Sequence, residues 1–503
     1  MTTTTEKSTE LTGETRMLID GQLTEARSGK RFDNVNPATE EVLGQVADAS
    51  VEDMEAAVAA ARRAYDETDW STNKALRKRC LEQLQAALEE EKEAIRSELV
   101  AEVGTPVMIT YGPQLDAPLS DGLLWPARMI DEFEWERDLP PGTAFGMTSR
   151  RQVWKEPAGV VGAIIPWNAP LQLISHKIGP ALLAGCSVVL KLSPEAPGEG
   201  YLVAEAAEQI GLPPGVFNVV TADREVSELL VRDPRVDKIT FTGSTAAGRK
   251  IASLCGERVA RCTLELGGKS AAVVLDDADI ATVAASIAGA ECIMTGQVCS
   301  SLTRIVVTRD RHDEMVEALA ENFAQVRVGD PFDQQTQMGP LAMSRQRDRV
   351  EGYIAKGIDE GATLAAGGGR PKDLERGWFI EPTVFGNVDN SSTIAQEEIF
   401  GPVLSVIPAD DERDAVRIAN DTIYGLNSSV FTNDVDRARE VAGQLRAGTV
   451  GHNAFKTDFG IAFGGFKQSG IGREGGKEGL LPFLETKTVI LDGPPSGYPT
   501  PEG

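Results

Sequence analysis

The sequence has 503 residues, of which 41% are apolar, so two or three domains with sizeable cores are expected. Its 50 basic and 76 acidic residues give a formal net charge of -26, which opposes non-specific binding to nucleic acid or anionic lipid. No apolar run approaches the roughly 20 residues that a membrane span requires, and the N-terminus lacks the pattern of a signal peptide. We therefore expect a cytoplasmic protein with no nucleic-acid or membrane partner.

The six cysteines and three histidines indicate neither a disulfide scaffold nor a metal centre. The cysteines are widely spread, no CxxC pair occurs, and the histidines are scattered. Structural zinc sites need about four such ligands, usually at short spacing. We expect reduced thiols and no bound metal.

The chain begins with a polar tail followed by a helical region. Residues 1–16 are rich in Thr, Glu and Ser, a composition typical of disordered segments, and order is expected from Met17. Between residues 51 and 103, apolar residues recur at helical spacing with charges between them. This pattern predicts two amphipathic helices with solvated outer faces.

Two later regions alternate short apolar runs with helical stretches. Such alternation is typical of βαβ units and of parallel sheets covered on both faces. The strands predicted in the first region are 160–165, 187–192, 216–220 and 238–242. Those predicted in the second region, which runs from residue 270 to about 466, are 271–275, 304–308, 403–407 and 428–431. Two α/β domains are therefore expected, the first with the outline of a dinucleotide-binding fold.

A glycine-rich turn, GSTAAG at 243–248, follows the predicted strand 238–242 and opens a helical stretch. Close backbone approach and free amides at a helix N-terminus suit a phosphate group, although an isolated turn of this kind is about as often purely structural. Arg249 and Lys250 replace the Lys-Ser/Thr pair of a nucleoside triphosphate loop. A site of that class is therefore not predicted.

The first strand-to-helix turn of the parallel region contains PWNAP at 166–170 in place of the glycine fingerprint of a standard Rossmann fold. Asn168 stands at a strand end, where its amide can donate to a developing oxyanion, and Trp167 can pack against a cofactor. Asparagine before Ala-Pro is also an ordinary turn residue. Both interpretations of Asn168 remain open on these residues alone.

Cys299 and Glu265 are the candidate nucleophile and base. Cys299 ends the run GQVC, and Glu265 stands in LELGG. Because histidine is scarce, the usual base partner of a thiol is scarce too, and a carboxylate must be considered. The pair indicates acyl chemistry on an aldehyde. Glu265 falls where the two α/β regions join and Cys299 lies within the second, so a site between domains is expected.

Taken together, these segments resemble the aldehyde dehydrogenase superfamily over residues 17–491. The matching segments are PWN at 166–168, Lys191 closing a strand, FTGSTAAG at 241–248, LELGGK at 264–269, GQVC at 296–299, EEIFGP at 397–402 and GGFKQSG at 464–470. The resemblance implies an α/β fold with two Rossmann-like parallel-sheet domains, one for the cofactor and one for catalysis, and a small β oligomerisation arm. It also implies NAD(P)-dependent oxidation of an aldehyde to the free carboxylic acid.

The same resemblance implies a division of the chain. It gives a disordered tail at 1–16, a cofactor-binding domain at 17–132 and 156–266, an arm at 133–155 and 482–493, a catalytic domain at 267–481 and a flexible tail at 494–503. An exposed, alternating strand needs a partner, and in this family such arms extend a sheet across subunits. A homodimer or homotetramer is therefore expected.

The resemblance also implies roles for the three candidate catalytic residues. Cys299 would form a thiohemiacetal and then a thioester, with Asn168 and the Cys299 backbone N–H stabilising the oxyanion. Glu265 would activate the hydrolytic water, and its setting between Leu264 and Leu266 predicts a raised carboxyl pKa. Members that transfer the acyl group to coenzyme A tend to lack a glutamate here, so Glu265 favours release of the acid.

Cofactor contacts carry over as a set. The implied residues are Ile164, Pro166, Trp167, Lys191, Ser193, Glu195, Gly243, Ser244, Gly248, Leu266, Glu398 and Phe400. NAD-preferring relatives often place a glutamate three residues after the lysine, but here Pro194 holds that position and Glu195 follows. Arg224 either approaches the adenosine end or is a solvated surface residue. NAD is the expected cofactor, and NADP stays open.

The residues expected around the substrate are mostly apolar. They are Ala169, Leu173, His176, Val298, Ser300 and Phe463. No arginine among them clamps a carboxylate, which favours a neutral, hydrophobic aldehyde over a succinate-type semialdehyde. Two alternatives remain: a coenzyme A-acylating semialdehyde dehydrogenase, and a non-enzymatic binding or structural protein on the same fold.

Overall fold

Strands and helices alternate along most of the chain in the computed structural model, which describes residues 14–144, 147–458 and 460–492. Residues 1–13 and 493–503, on which most of the two predicted tails fall, lie outside the described residues. Order at the N-terminal side is visible as a strand that begins at Met17.

The strands are β1 (Met17–Ile19), β2 (Gln22–Thr24), β3 (Arg31–Val35), β4 (Val42–Ala47), β5 (Glu136–Ala144), β6 (Met147–Pro157), β7 (Val160–Ile164), β8 (Ser187–Leu192), β9 (Phe217–Thr221), β10 (Lys238–Thr242), β11 (Arg261–Glu265), β12 (Ala271–Val274), β13 (Arg304–Thr308), β14 (Thr363–Ala366), β15 (Thr383–Gly386), β16 (Val403–Ala409), β17 (Asn427–Phe431), β18 (Thr449–His452), β19 (Gly470–Ile471) and β20 (Leu484–Leu491).

The helices are α1 (Val51–Glu67), α2 (Lys74–Glu90), α3 (Lys92–Val103), α4 (Val107–Ile109), α5 (Asp116–Asp121), α6 (Leu124–Glu132), α7 (Pro170–Ala184), α8 (Gly198–Gln209), α9 (Arg224–Arg232), α10 (Thr245–Glu257), α11 (Ile280–Cys292), α12 (His312–Ala324), α13 (Ser344–Asp359), α14 (Thr393–Gln396), α15 (Glu412–Asn420), α16 (Val435–Ala442) and α17 (Gly476–Leu480).

The first large sheet has the order β19-β11-β10-β7-β8-β9-β1-β2. Its five central strands, β7 to β11, run parallel, whereas β1, β2 and β19 are antiparallel additions at the two sides. Strands β7, β9 and β10 are buried along their whole length, because helices cover both faces of a parallel sheet. The predicted dinucleotide-type sheet is confirmed.

The second large sheet has the order β14-β15-β16-β13-β12-β17-β18. All neighbouring pairs are parallel except the edge strand β14, which is antiparallel to β15. Two separate apolar clusters pack on its faces. The second α/β region is therefore confirmed, and both large sheets present the carboxyl ends of parallel strands, where ligands bind in open α/β folds.

A third sheet joins distant parts of the chain in the order β20-β6-β5. Strand β20 is antiparallel to β6, with Lys487 opposite Trp154, and β6 is antiparallel to β5. The predicted pairing of strands near 133–155 with a strand at 485–491 is present. Its use in assembly remains a proposal.

Two details differ from the sequence-based expectations. Residues 51–103 form three helices and not two, because Glu91 (φ -86°, ψ 6°) leaves the helical conformation and separates α2 from α3. Strand β19, from the segment expected to be catalytic, adds to the first sheet beside β11, with Gly470 opposite Glu265. No helix in the described ranges is long and apolar enough to cross a membrane.

Candidate active site

A cavity of about 950 Å³ is lined by residues from both α/β regions. Asn168 reaches it from the loop between β7 and α7, Glu265 from the end of β11, and Cys299 from the loop that precedes β13. The structure therefore brings the three predicted catalytic residues to one place. All six residues expected around the substrate also line this cavity.

The predicted cofactor residues divide into two groups. Those that line the cavity are Pro166, Trp167, Gly243, Ser244, Leu266, Glu398 and Phe400. The others are Ile164, Lys191, Ser193, Glu195 and Gly248, which are absent from the cavity lining within the described chain. Of these, Ile164 and Lys191 pair across β7 and β8, and Glu195 accepts a hydrogen bond from Arg345, which does line the cavity.

The residues present fit a dinucleotide. Helix α10 begins directly after β10, and Ser244 caps it by accepting a hydrogen bond from the Ala247 amide at 3.3 Å. The N-terminus of this helix suits a pyrophosphate. Burial lowers the pKa of Lys191 to about 8, against the opposing charges of Glu195 and Asp223, and its ammonium group can donate hydrogen bonds. The Trp167 and Phe400 rings meet edge to face, with centroids 5.5 Å apart, at one wall of the cavity.

The loop before Cys299 contains three consecutive residues in the left-handed region. These are Met294 (φ 53°), Thr295 (φ 56°) and Gly296 (φ 69°). A non-glycine residue held in this region costs on the order of 1–3 kcal/mol, so other contacts must hold the loop. The Thr295 hydroxyl supplies one such contact by donating to the Gly339 carbonyl at 3.0 Å.

Gln297 fixes the same loop and also orients Asn168. Its Nε2 donates to the Met294 carbonyl at 2.9 Å, and its Oε1 accepts from the Ala342 amide at 3.0 Å. The Gln297 carbonyl accepts from Asn168 Nδ2 at 2.9 Å. This bond uses one N–H of the Asn168 amide and leaves the other for an oxyanion.

Two glycines after β11 allow the catalytic segments to approach closely. A Cβ on Gly268 would lie 2.3 Å from the Cys299 carbonyl oxygen, and a Cβ on Gly267 would lie 2.4 Å from a Glu398 carboxyl oxygen. Any side chain at either position would displace these groups. The glycines are therefore required by packing against Cys299 and Glu398.

Glu265 is a buried carboxyl group with a raised pKa. Its side chain is 3% exposed, and neither carboxyl oxygen has a hydrogen-bond partner among the described residues. Burial and the charge of Glu474 raise its pKa well above the ordinary value, with a smaller opposing effect from Lys177. Lys177 and Glu474 form their own buried ion pair at 2.5 Å. Glu265 therefore favours the protonated form in the free protein.

Cys299 also has a raised pKa in the free protein. Limited solvation inside the cavity raises it to about 12, and the charges of Glu398 and Glu265 add to the effect. The backbone N–H groups of Cys299 and Ser300 act in the opposite direction. The thiol is therefore largely protonated until a ligand changes its surroundings.

The pKa of Cys299 predicts slow, strongly pH-dependent alkylation of the ligand-free protein. Because only the thiolate reacts, the rate with iodoacetamide at Cys299 should rise about tenfold per pH unit between pH 7 and pH 10. Peptide mass spectrometry at timed intervals measures this rate. Cys262 is an internal control, since a hydrogen bond with Cys255 lowers its pKa and its rate should level off at a lower pH. A plateau at Cys299 in the same range would contradict the prediction.

Several site residues were not identified from the sequence. Arg345, Arg349 and Glu474 line the cavity, and Lys177 contacts Glu474 across 297 positions of the chain. No local pattern marks such long-range partners. Gln297 stands within the GQVC run, but the motif alone does not show that its side chain fixes the loop.

The fold and site together define an α/β enzyme with two large, mainly parallel sheets and a cysteine in a cavity lined from both of them. The sequence profile described as the aldehyde dehydrogenase family matches residues 23–489. The chain is 44% identical over 477 residues to a 3-succinoylsemialdehyde-pyridine dehydrogenase from Pseudomonas sp, covering 94% of this chain and 97% of the relative. It is 43% identical over 479 residues to geranial dehydrogenase from Castellaniella defragrans, covering 95% and 98%.

A solved structure gives the same result. An aldehyde dehydrogenase from Mycobacterium tuberculosis, complexed with NAD+, superposes with a TM-score of 0.91 at 43% identity and covers 97% of this chain and 99% of its own. The chain belongs to the aldehyde dehydrogenase family, whose general reaction is the NAD(P)-dependent oxidation of an aldehyde to a carboxylic acid.

Proposed function

We propose that the protein oxidises a neutral aldehyde to the free acid through a covalent intermediate on Cys299. The observation that carries this proposal is the meeting of Asn168, Glu265 and Cys299 in one cavity. The Cys299 sulfur attacks the carbonyl carbon and forms a thiohemiacetal. The free N–H of Asn168 and the Cys299 backbone N–H stabilise its oxyanion, and one such donor is typically worth about 100- to 1,000-fold in rate.

We further propose that NAD is the preferred cofactor, held by Lys191 and Glu398 at its riboses and by the α10 N-terminus at its pyrophosphate. When bound, it supplies the nicotinamide ring that accepts the hydride. Phe400 and Trp167 bound the wall against which this ring would lie. Lys191 donates hydrogen bonds, and Glu398 is held near the site by the Gly268 amide at 3.2 Å.

Glu265 then acts as the base for hydrolysis of the Cys299 thioester. Its carboxylate removes a proton from water, the hydroxide oxygen attacks the thioester carbon, and the sulfur leaves as the acid is released. A raised pKa makes the carboxylate a stronger base once it is ionised. This role distinguishes the protein from coenzyme A-acylating dehydrogenases, the main alternative.

The cavity favours an aldehyde with an uncharged, apolar body. Leu173, Val298 and Phe463 line it as expected, and Trp125 and Phe455 add two aromatic side chains. Arg345 and Arg349 also line the cavity, but they contact Glu195 and the Glu398 backbone, on the cofactor side. One relative is named for geranial, which supports this substrate class, and another is named for 3-succinoylsemialdehyde-pyridine.

We also propose a cytoplasmic homodimer or homotetramer in which the β20-β6-β5 sheet provides a subunit contact. Strands β20 and β5 are the two edges of that sheet, and exposed edges are available for pairing. Analytical ultracentrifugation of the purified protein checks the assembly, and a monomer at micromolar concentration would contradict it.

The substrate proposal is tested with geranial, octanal, benzaldehyde and succinic semialdehyde, each with NAD and with NADP. The reduced cofactor is followed by absorbance and the acid by chromatography. We expect kcat/KM for the neutral aldehydes to exceed that for succinic semialdehyde at least about tenfold. This factor corresponds to a modest free-energy cost of burying the negative charge of succinic semialdehyde in the cavity. Equal values would contradict the substrate class. Dependence of turnover on added coenzyme A would contradict hydrolysis.

A further inference from the structure

The carboxylate of Glu195 is engaged at both of its oxygens. Ser193 donates its hydroxyl to one oxygen, and Arg345 donates from its guanidinium to the other. The Glu195 side chain is 19% exposed and that of Arg345 is 69% exposed. Burial alone would raise the pKa of Glu195, but these two hydrogen bonds and the charge of Arg345 hold it below the ordinary value. Glu195 is therefore ionised, and its negative charge is balanced by the positive charge of Arg345.

This pair lies at the edge of the first sheet where an adenosine would bind. Strands β8 and β9 are parallel neighbours, with Lys191 opposite Val220. Glu195 follows β8 and Arg224 begins α9 after β9, so both stand at the carboxyl ends of adjacent strands, where dinucleotides bind in such folds. Arg224 is exposed to the same cavity that Arg345 lines.

This edge carries both cations and carboxylates, and the carboxylates of Glu195 and Asp223 are already engaged. Lys191, Arg224 and Arg345 are cationic, while Glu195 is paired with Arg345 and the Asp223 carboxylate caps α9 by accepting from the Val226 amide at 2.9 Å. A carboxylate that discriminates against a ribose 2′-phosphate must be free to repel it and to accept from the hydroxyl groups. A neutralised carboxylate does neither well, whereas guanidinium groups bind phosphate through paired N–H donors.

We infer that the Arg345–Glu195 pair sets the cofactor preference, and that in its paired state the site accepts NADP as well as NAD, with Arg345 and Arg224 facing the 2′-phosphate. This inference rests on the cofactor placement proposed above. Arg345 is then a specificity-determining residue that acts on the phosphate directly and through Glu195. Removing Arg345 would free the Glu195 carboxylate to repel the 2′-phosphate and to accept from the ribose hydroxyl groups, so its loss should weaken NADP binding and leave NAD binding unchanged or tighter.

The test is equilibrium binding, measured by calorimetry with NAD+ and NADP+ and with the matched fragments 5′-AMP and adenosine 2′,5′-bisphosphate. We expect the unaltered protein to bind NADP+ within about tenfold of NAD+. Arg345→Ala should weaken the binding of NADP+ and the bisphosphate at least about tenfold, the effect of one lost charge-assisted contact. It should not weaken the binding of NAD+ or 5′-AMP. Arg224→Ala should also weaken the binding of the two ligands that carry a 2′-phosphate, NADP+ and the bisphosphate.

Two further variants make the test specific. Glu195→Gln removes the charge and should tighten NADP+ binding severalfold, and Arg345→Lys should restore part of the loss. Arg376→Ala, at an exposed arginine paired with Glu41, is the control for loss of a surface charge and should change neither ligand. The inference would be overturned if Arg345→Ala weakened the binding of NAD+ and NADP+ equally. It would also be overturned if the unaltered protein bound NADP+ more than about 100-fold more weakly than NAD+. Because no turnover is measured, failure of the proposed Cys299 chemistry would leave these values unaffected.

Discussion

Replacing Cys299 with alanine should lower kcat for aldehyde oxidation by about 10,000-fold or more, because Cys299 is the one cysteine among the described residues that line the cavity. Cofactor binding should persist, since the carbonyl of residue 299, packed against Gly268, remains in the variant. Stopped-flow measurement of reduced cofactor detects both the steady state and any first turnover. Steady-state turnover and the first turnover should both disappear in the variant.

Cys292→Ala is the matched control for the Cys299 variant. Cys292 ends α11 only seven residues earlier, but it is buried in the apolar core of the second sheet, and burial raises the pKa of its thiol to about 12. Its replacement should cost some stability through a small cavity and leave kcat within about threefold. If turnover by the Cys299 variant persisted after the protein was purified again, another residue would be the nucleophile.

The elements predicted most accurately are those whose pattern is purely local. Strands 187–192 and 238–242 coincide with β8 and β10. The first is a nearly continuous apolar run, and the second alternates polar and apolar residues, and both patterns are local signals of a strand. The break at Glu91 was missed for the opposite reason. Residues 90–92 are Glu-Glu-Lys, all good helix formers, so the change of direction there depends on packing against the rest of the protein.

The residues of the site also differ in how well the sequence alone predicts them. Cys299, Glu265 and Asn168 stand in short motifs that a reader can recognise in one stretch of chain, and the structure places all three at one cavity. Arg345 reaches Glu195 across 150 positions and Lys177 reaches Glu474 across 297. The first contact joins the two α/β regions, and the second joins α7 to the segment between β19 and α17. Single-sequence patterns carry no record of either contact.

The two-residue strand β19 illustrates a third limit. Its pairing with β11 places Gly470 opposite Glu265, the proposed base. Two residues are too short a stretch to show any periodicity. The burial of Glu265 was predicted from its apolar neighbours Leu264 and Leu266, but the pairing of β19 beside it was not.

Replacing Glu265 with glutamine should separate formation of the thioester from its hydrolysis. Cys299 and Asn168 remain, so one equivalent of reduced cofactor per active site should form in a first turnover. Steady-state turnover should then fall about 100- to 10,000-fold, the usual contribution of a general base. Intact-protein mass spectrometry should show an acyl group on the protein, and mapping should place it on Cys299. Added hydroxylamine should release it and restore turnover.

Glu199→Gln is the control for loss of a buried carboxyl group. Burial and the charge of Glu98 raise the pKa of Glu199 to about 8, but its side chain accepts from the Leu171 amide at 3.0 Å and takes no part in the proposed reaction. This variant should keep normal turnover and accumulate no acyl protein. Undiminished acid production by the Glu265 variant would eliminate the hydrolytic role.

The pH dependence of hydrolysis gives a second test of Glu265 in the unaltered protein. Since burial and Glu474 raise its pKa, the carboxyl group is protonated at low pH and cannot act as a base. The rate of thioester hydrolysis should therefore rise with pH through the elevated pKa, above the range of an ordinary glutamate, and this dependence should vanish in the glutamine variant. A rate already independent of pH from 5 to 8 would mean that the base ionises normally, and the role would then belong to a better-solvated group.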